Sequence, residues 1–229
     1  MVGETMPTRS SQPRAAVAAR LRRGYFECRF GQLHVYHAIP GGGGFEEGVS
    51  LLALHDESQT GRTFEGLLSL AGADRSAFAP DLPGFGQSDA PAALPTIADH
   101  AGAIGDFLDA MRLRQVDVLG CGLGARVALE LAARPAVRRL VLMVMPDPGS
   151  GAPSPPGSPA GQRPYSVRER LERLAQPLLV LYPPEAARTP GSLVNDVPAR
   201  ARRELPGGGA LLATSPRVVF DAIKDFLQS

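Results

Sequence analysis

The chain has 229 residues, of which 44% are hydrophobic and 21% charged, as is typical of a globular protein large enough to bury a core. Its 24 basic and 23 acidic residues give a formal net charge of +1, which offers no electrostatic basis for binding nucleic acid or an anionic membrane. The sequence has no apolar run long enough to span a bilayer, and Cys28 and Cys121 are too few for a disulfide framework. We therefore expect a cytoplasmic protein.

The N-terminal segment is basic. Residues 1–23 carry five arginines and a single acid, Glu4, without the apolar stretch of a secretion signal. The arginines resemble those of an organellar transit peptide, but the composition favours a plain disordered leader. We expect a leader at 1–23 and a single domain at 24–229.

Alternating apolar and polar residues at 25–30 and 33–39 predict a β-hairpin that turns at Gly31-Gln32. Apolar runs of strand length then alternate with segments of helical spacing, which indicates an α/β domain with a mainly parallel sheet. The predicted elements are a strand at 50–55, a helix at 62–71, a strand at 75–80, a helix at 96–111, a strand at 115–119, a helix at 123–134, strands at 138–144 and 178–182, and a helix at 218–227.

The segment 146–164 has a different composition from its surroundings, because proline, glycine and serine dominate it. Such a segment cannot bury enough apolar surface to fold. We predict a mobile loop here and no folded lid, so that any pocket nearby is open.

Three motifs occur in a characteristic order. His55 ends the predicted strand 50–55, the pattern D-x-x-G-x-G-x-S covers 81–88, and a strand, a glycine turn and a helix surround 120–124. In this order they resemble the α/β-hydrolase superfamily, over roughly 24–229. The resemblance implies a mainly parallel sheet flanked by helices, with an N-terminal β-hairpin. It also implies that the glycine turn is the nucleophile elbow, G-x-S-x-G.

The resemblance places the three triad positions of the family on residues that cannot perform its chemistry. The nucleophile position is Gly122, the acid position is Ala186, and the histidine position falls on Gly209. The last histidine of the chain is His100, so no alignment register supplies a base after it. Because a serine nucleophile needs a histidine base and an orienting acid, we expect no serine-type hydrolysis.

Seven residues form the candidate pocket around the glycine turn. Asp56 and Glu57 put two carboxylates into the loop where the family stabilises an oxyanion, which would oppose that charge. Cys121 is interpreted as a packed, inert thiol, because centring the turn on it would place leucines at the crowded positions. The full set is His55, Asp56, Glu57, Ser58, Cys121, Leu123 and Asp147.

The other polar residues of interest are interpreted as structural. Within 81–88, Asp81 and Ser88 are expected to form turns with the intervening glycines. His34 and His37 are predicted on the surface of an edge strand, and His100 is predicted to be solvated.

Three functions remain open. The first is a pseudo-hydrolase that binds a small molecule or a protein partner. The second is a lyase, isomerase or cyclase on the same scaffold, using His55, Glu57 or the shape of the pocket. The third is dinucleotide binding through Gly120, Gly122 and Ala125, which satisfy G-x-G-x-x-G/A. No motif with metal-ligand spacing is present, and neither a metal nor a cofactor is predicted.

Overall fold

The structure is a computed structural model that describes residues 19–41, 48–144, 165–188 and 192–229. Its strands are β1 (Arg20–Cys28), β2 (Gly31–Ile39), β3 (Gly48–Leu54), β4 (Arg75–Pro80), β5 (Val116–Cys121), β6 (Val137–Met143), β7 (Leu178–Tyr182) and β8 (Arg202–Glu204). Its α-helices are α1 (Glu65–Ala71), α2 (Ile97–Ala110), α3 (Leu123–Leu131), α4 (Val167–Glu172), α5 (Pro184–Arg188), α6 (Leu193–Asp196), α7 (Leu211–Thr214) and α8 (Pro216–Gln228). Short 3₁₀ turns cover Gly61–Phe64, Ala199–Ala201 and Gly208–Ala210.

The strands of the described part form one sheet in the order β1-β2-β4-β3-β5-β6-β7-β8. β1 and β2 form an antiparallel hairpin, β2 is antiparallel to β4, and the remaining neighbours are parallel. The mainly parallel α/β sheet and the N-terminal β-hairpin predicted from the sequence are therefore confirmed.

The central strands are buried on both faces, which explains their continuous apolar runs. On β3, Leu52 and Leu54 contribute to the core on the α2 and α3 side, whereas Leu51 and Ala53 contribute to the core on the α1 and α8 side. Helices therefore cover both faces of the sheet, as predicted. The parallel strands end together at the edge where β3 and β5 lead into the candidate site.

The N-terminal hairpin differs from the prediction at its turn and at its start. The turn lies at Arg29-Phe30, because Cys28 pairs with Gly31. Arg29 is held there by Asp106 of α2, whose carboxylate accepts hydrogen bonds from the backbone N–H and the guanidinium of Arg29 at 2.8–2.9 Å. A contact between distant segments thus determines the turn, which local turn chemistry could not reveal.

The predicted leader boundary at residue 23 is wrong. β1 begins at Arg20, and its first four residues pair with the end of β2. Leu21 packs against the core on the α1 and α8 side, and the Arg23 guanidinium lies 5.5 Å from the ring centroid of Tyr36. The last arginines of the basic segment therefore lie in the sheet. The rest of the predicted leader, 1–18, lies outside the described residues.

Helix α2 confirms the prediction for 96–111 together with its cap. Thr96 precedes the helix, its hydroxyl accepts a hydrogen bond from the backbone N–H of Asp99, and the Asp99 carboxylate accepts one from the backbone N–H of Thr96. This reciprocal arrangement is a capping box, which satisfies two backbone donors that would otherwise lack a partner at the helix start.

Between β6 and β7 the described residues contain only the short helix α4, and they build no folded lid. α4 is tied to α3, because the Tyr165 hydroxyl donates to the Arg126 carbonyl at 2.9 Å and Arg170 pairs with Glu130 at 2.7 Å. The predicted loop 146–164 lies outside the described residues. In the described part of the chain, no helix is long and apolar enough to cross a membrane.

Candidate functional site

The glycine turn connects β5 to α3 with the backbone conformation of a sharp elbow. Gly122 has φ +50° and ψ −113°, a region that residues with side chains rarely adopt. A Cβ on Gly120 would overlap the carbonyl of Gly124, and a Cβ on Gly124 would overlap the carbonyl of Leu54. The strain and the crowding match what the resemblance requires of the central elbow residue and of the small residues two positions away.

The Asp56 carboxylate lies directly against this turn. Its Oδ1 accepts hydrogen bonds from the backbone N–H of Leu123 and from that of Glu57, both at 2.8 Å. A Cβ built on Gly122 would overlap Oδ1 and Cγ of the same carboxylate. Asp56 therefore occupies the space into which a side chain at position 122 would extend.

The two N–H groups that bind Asp56 have a specific meaning in the hydrolase arrangement. There, the oxyanion is stabilised by the N–H of the residue after the nucleophile and by an N–H from the loop after the third strand. In this chain those positions correspond to Leu123 and to the loop that contains Glu57. A carboxylate of the chain itself is thus the anion bound by these donors.

His55 is fully buried at the end of β3, and both of its ring nitrogens are engaged. Nδ1 lies 2.8 Å from the Asp56 carbonyl, which can only accept, and Nε2 lies 2.9 Å from the Leu82 backbone nitrogen, which can only donate. The ring is therefore the neutral tautomer with its proton on Nδ1. Burial lowers the pKa of His55, which agrees with this neutral state.

The remaining candidate residues differ widely in exposure. Glu57 and Ser58 are exposed, whereas Cys121 and Leu123 are buried. Burial raises the pKa of the Cys121 thiol, which disfavours the reactive thiolate. Asp147 lies outside the described residues.

The other two predicted triad positions carry no reactive side chain. Ala186 is buried in α5, and Gly209 is buried in the 3₁₀ turn that precedes α7. In the described part of the chain, no group of three His, Cys, Asp or Glu residues could hold a metal ion.

The surface positions predicted for the other histidines are wrong. β2 is an interior strand of the sheet, so His34 is buried, and its Nδ1 lies 2.9 Å from Asp81. His37, on the same strand, is largely buried, and burial lowers its pKa. His100 is buried on the inner face of α2. The desolvation that follows from this burial is the main reason why its pKa is lowered to about 4. Among the described residues, Nδ1 of His100 has no hydrogen-bond partner, which agrees with a neutral ring.

Asp81, Ser88 and the intervening glycines of the D-x-x-G-x-G-x-S loop form the turns expected from the sequence. Asp81 accepts hydrogen bonds from the backbone N–H of Gly61 at 2.7 Å and of Gln87 at 3.0 Å. Ser88 donates to the Asp81 carbonyl at 2.7 Å, and Gly84 and Gly86 have the positive φ expected of them. These bonds fix the loop beside His55, whose Nε2 it binds through Leu82.

An open groove that the sequence did not predict lies beside α1. Its volume is about 520 Å³, and it is lined by Ser58, Gln59, Thr60, Arg62, Thr63, Glu65, Gly66, Leu212 and Ala213. Ser58 is the one candidate pocket residue among them. Its walls come from segments far apart in sequence, so no local pattern could have indicated it. We call this feature the α1 groove.

Comparison with known sequences shows the family. A profile of the alpha/beta hydrolase fold matches residues 37–204. An uncharacterized protein of Mycobacterium tuberculosis strain H37Rv is 32% identical over 98 residues, which are 42% of this chain and 29% of that protein. The 2-hydroxymuconate semialdehyde hydrolase of Pseudomonas sp. strain CF600 is 43% identical over 75 residues, 30% of this chain and 25% of that enzyme. The alignments span less than a third of these curated relatives.

Solved structures share the fold over most of the chain. The carboxylesterase CesB of Bacillus subtilis has a TM-score of 0.72 and 16% identity, with 91% of this chain and 92% of that chain covered. A thermophilic esterase of Thermogutta terrifontis has a TM-score of 0.67 and 16% identity, with 90% and 98% covered. At such identities the likeness shows the fold alone. With the profile match over more than half its length, the chain belongs to the alpha/beta hydrolase fold family.

Proposed function

We propose that this protein is a pseudo-hydrolase, which binds a small molecule or a protein partner and does not catalyse serine-type hydrolysis. The observation that carries the proposal is the position of Asp56. Its carboxylate accepts hydrogen bonds from the two backbone N–H groups that would stabilise an oxyanion, and it fills the space of the nucleophile side chain.

The electrostatics of this arrangement oppose acyl transfer. A tetrahedral oxyanion beside Asp56 would face a fixed negative charge, at a cost of about 4 kcal/mol for unit charges 4 Å apart near a protein surface. Losing even one oxyanion donor costs hydrolases about 3–4 kcal/mol of transition-state stabilisation. Here both donors already have an anionic partner.

Among the described residues, no histidine near the turn is free to act as a general base. His55 uses both nitrogens in bonds to backbone groups, and His34 is bonded to Asp81. His100 lies on α2, which precedes the elbow in the chain, and no histidine follows it. The chain therefore offers no histidine at the position from which the family takes its base.

The same contacts argue against dinucleotide binding and against a lyase, isomerase or cyclase that uses His55. A lyase, isomerase or cyclase that uses His55 would first have to break the bonds of the ring to Asp56 and Leu82. A dinucleotide would need free N–H groups at the start of α3, where the N–H of Leu123 binds Asp56 and that of Gly124 binds the His55 carbonyl.

The test is a labelling and turnover experiment on the wild-type protein and on Gly122→Ser, alone and with Asp56→Gly. We expect no stable fluorophosphonate adduct in the described part of the wild-type chain and no ester turnover by any of the three proteins. Glu204→Gln, an exposed change on β8, is the matched control. Wild-type ester turnover that disappears on substitution of Asp56 or His55, but not of Glu204, would contradict the proposal.

A further inference from the structure

In the described part of the chain, the α1 groove brings together polar side chains with few internal bonds. Thr60 precedes the 3₁₀ turn Gly61–Phe64, yet its hydroxyl makes no capping hydrogen bond. Within the described ranges, Gln59 Oε1 has no hydrogen-bond partner, and neither Arg62 nor Glu65 takes part in an ion pair within 4.0 Å. One groove thus presents an unpaired cation, an unpaired anion and uncommitted hydrogen-bonding groups.

Several other arginines of the described residues do form ion pairs. Seven arginines of the described residues pair with carboxylates, several of them on exposed surfaces, and two of the seven share Asp117: Arg29, Arg75, Arg134, Arg138, Arg168, Arg170 and Arg217. Arg62 and Glu65 are three positions apart, a spacing at which opposite charges can interact, yet they do not pair. A ligand with both charges would satisfy each of them.

The rest of the groove suits a ligand of modest size. Its volume of about 520 Å³ lies within the range of small-molecule sites. Leu212 and Ala213 of α7 give one wall an apolar surface, against which an aliphatic group can pack. The Thr63 and Ser58 hydroxyls can donate to or accept from the polar part.

We propose that the α1 groove binds a small zwitterion in which an ammonium and a carboxylate lie close together beside an aliphatic side chain, as in an apolar amino acid. The inference rests on the proposed function, since it names the ligand class of a binding protein. The Arg62 guanidinium binds the carboxylate, and the Glu65 carboxylate binds the ammonium. Leu212 and Ala213 contact the aliphatic side chain.

The groove is connected to Asp56 by a short loop. The backbone N–H of Gln59 donates to the Asp56 carbonyl at 3.0 Å, and that same carbonyl accepts from His55. A ligand held by Gln59 and Thr60 therefore contacts the loop that carries the carboxylate against the glycine turn. Binding is expected to shift the amide resonances of Glu57 and Leu123 even though neither residue lines the groove.

The experiment titrates the protein with L-leucine while amide chemical shifts are recorded. N-acetyl-leucine, which lacks the ammonium, and leucine amide, which lacks the carboxylate, are the matched ligands. Leucyl-leucine separates a free amino acid from a peptide as the source of the two charges. We expect saturable shifts at groove residues with leucine, and affinity lower by about fivefold with each singly charged ligand.

Variants separate the two charges. Arg62→Gln should weaken the binding of leucine and N-acetyl-leucine but leave the binding of leucine amide unchanged. Glu65→Gln should weaken the binding of leucine and leucine amide but leave that of N-acetyl-leucine unchanged. Arg114→Gln and Glu204→Gln, which change exposed side chains outside the groove, should leave all affinities unchanged. Ala213→Tyr should fill the groove and abolish binding, with an unchanged amide spectrum elsewhere as the check on folding.

Two results would overturn the inference. One is that neither leucine nor leucyl-leucine produces saturable shifts. The other is binding that Arg62→Gln and Glu65→Gln leave intact. Neither result touches the proposed function, which fails only if ester turnover depends on Asp56 or His55. Turnover together with groove binding would instead overturn the proposed function and with it the assignment to a binding protein.

Discussion

Alanine at position 122 tests whether Asp56 occupies the space of the missing side chain. The variant changes two things at once, because φ of +50° is unfavourable for any residue with a Cβ and because the new Cβ overlaps the Asp56 carboxylate. The overlap can be relieved only if Asp56 leaves Leu123 and Glu57. Removing the carboxylate beforehand, in Asp56→Ala, leaves the backbone strain as the remaining cost.

The magnitudes follow from these contacts. The strained backbone costs about 1–3 kcal/mol. Losing the Asp56 hydrogen bonds costs about 2–3 kcal/mol, because they involve a charged acceptor that is only partly buried. We expect Gly122→Ala to lower the free energy of unfolding by about 3–6 kcal/mol, and Asp56→Ala by about 2–3 kcal/mol. The double variant should resemble Gly122→Ala alone, so the coupling energy equals the effect of Asp56→Ala, about 2–3 kcal/mol.

The assay is urea unfolding followed by circular dichroism, for the wild type, the two single variants and the double variant. Gly84→Ala is the matched control, since Gly84 has φ +82° and a Cβ there would meet no atom within 4 Å. It should show strain without coupling to Asp56→Ala. If the effects of Gly122→Ala and Asp56→Ala add within about 0.5 kcal/mol, the carboxylate does not occupy this space and the reasoning is refuted.

The remaining predictions concern stability and reactivity. The folded-state pKa of His100, about 4, lies below its ordinary value of 6.5, so its contribution to stability is complete above pH 6.5 and is lost as the pH falls towards 4. Near pH 5 the loss of stability is about 2 kcal/mol. In urea unfolding at several pH values, the free energy of unfolding of His100→Leu should therefore change less with pH than that of the wild type, by this amount; an unchanged pH dependence would contradict the prediction. Gly124→Ala should lower the free energy of unfolding by about 3 kcal/mol, since its Cβ would overlap the backbone carbonyls of Leu54 and His55, and normal stability in thermal unfolding would contradict that. Mass spectrometry after thiol labelling should find Cys121 modified only in denaturant, because the thiol is buried and its pKa is raised; labelling of the native protein at Cys121 would be the contrary result.

The strands and long helices could be predicted because their signals are local. The apolar runs of β4 and β7 gave their ends correctly, and Thr96 indicated the start of α2. The four short elements between β7 and α8 were missed because each has five residues or fewer and no periodicity of its own: α5, α6, α7 and β8. Their formation depends on packing against the sheet.

The candidate site was predictable only in part. The crowding around Gly122 followed from the spacing of its neighbours, and two carboxylates were expected near the oxyanion position. That Asp56 binds the N–H of Leu123, 67 positions away, depends on how β3 and β5 align. The burial of His34 likewise depends on β2 lying inside the sheet, and a hairpin at the N-terminus gave no sign of that.

The overlap at the glycine turn also constrains the order in which such a site can change. A chain with a serine at position 122 has no room for the Asp56 carboxylate in its present position, whereas a chain with glycine there has two backbone donors exposed and a vacant space. Glycine must therefore come first or arrive together with aspartate. Once both are present, restoring serine alone meets a steric penalty. A serine at position 122 would therefore need the loss of Asp56 as well, and the triad positions at Ala186 and Gly209 would still lack an acid and a base.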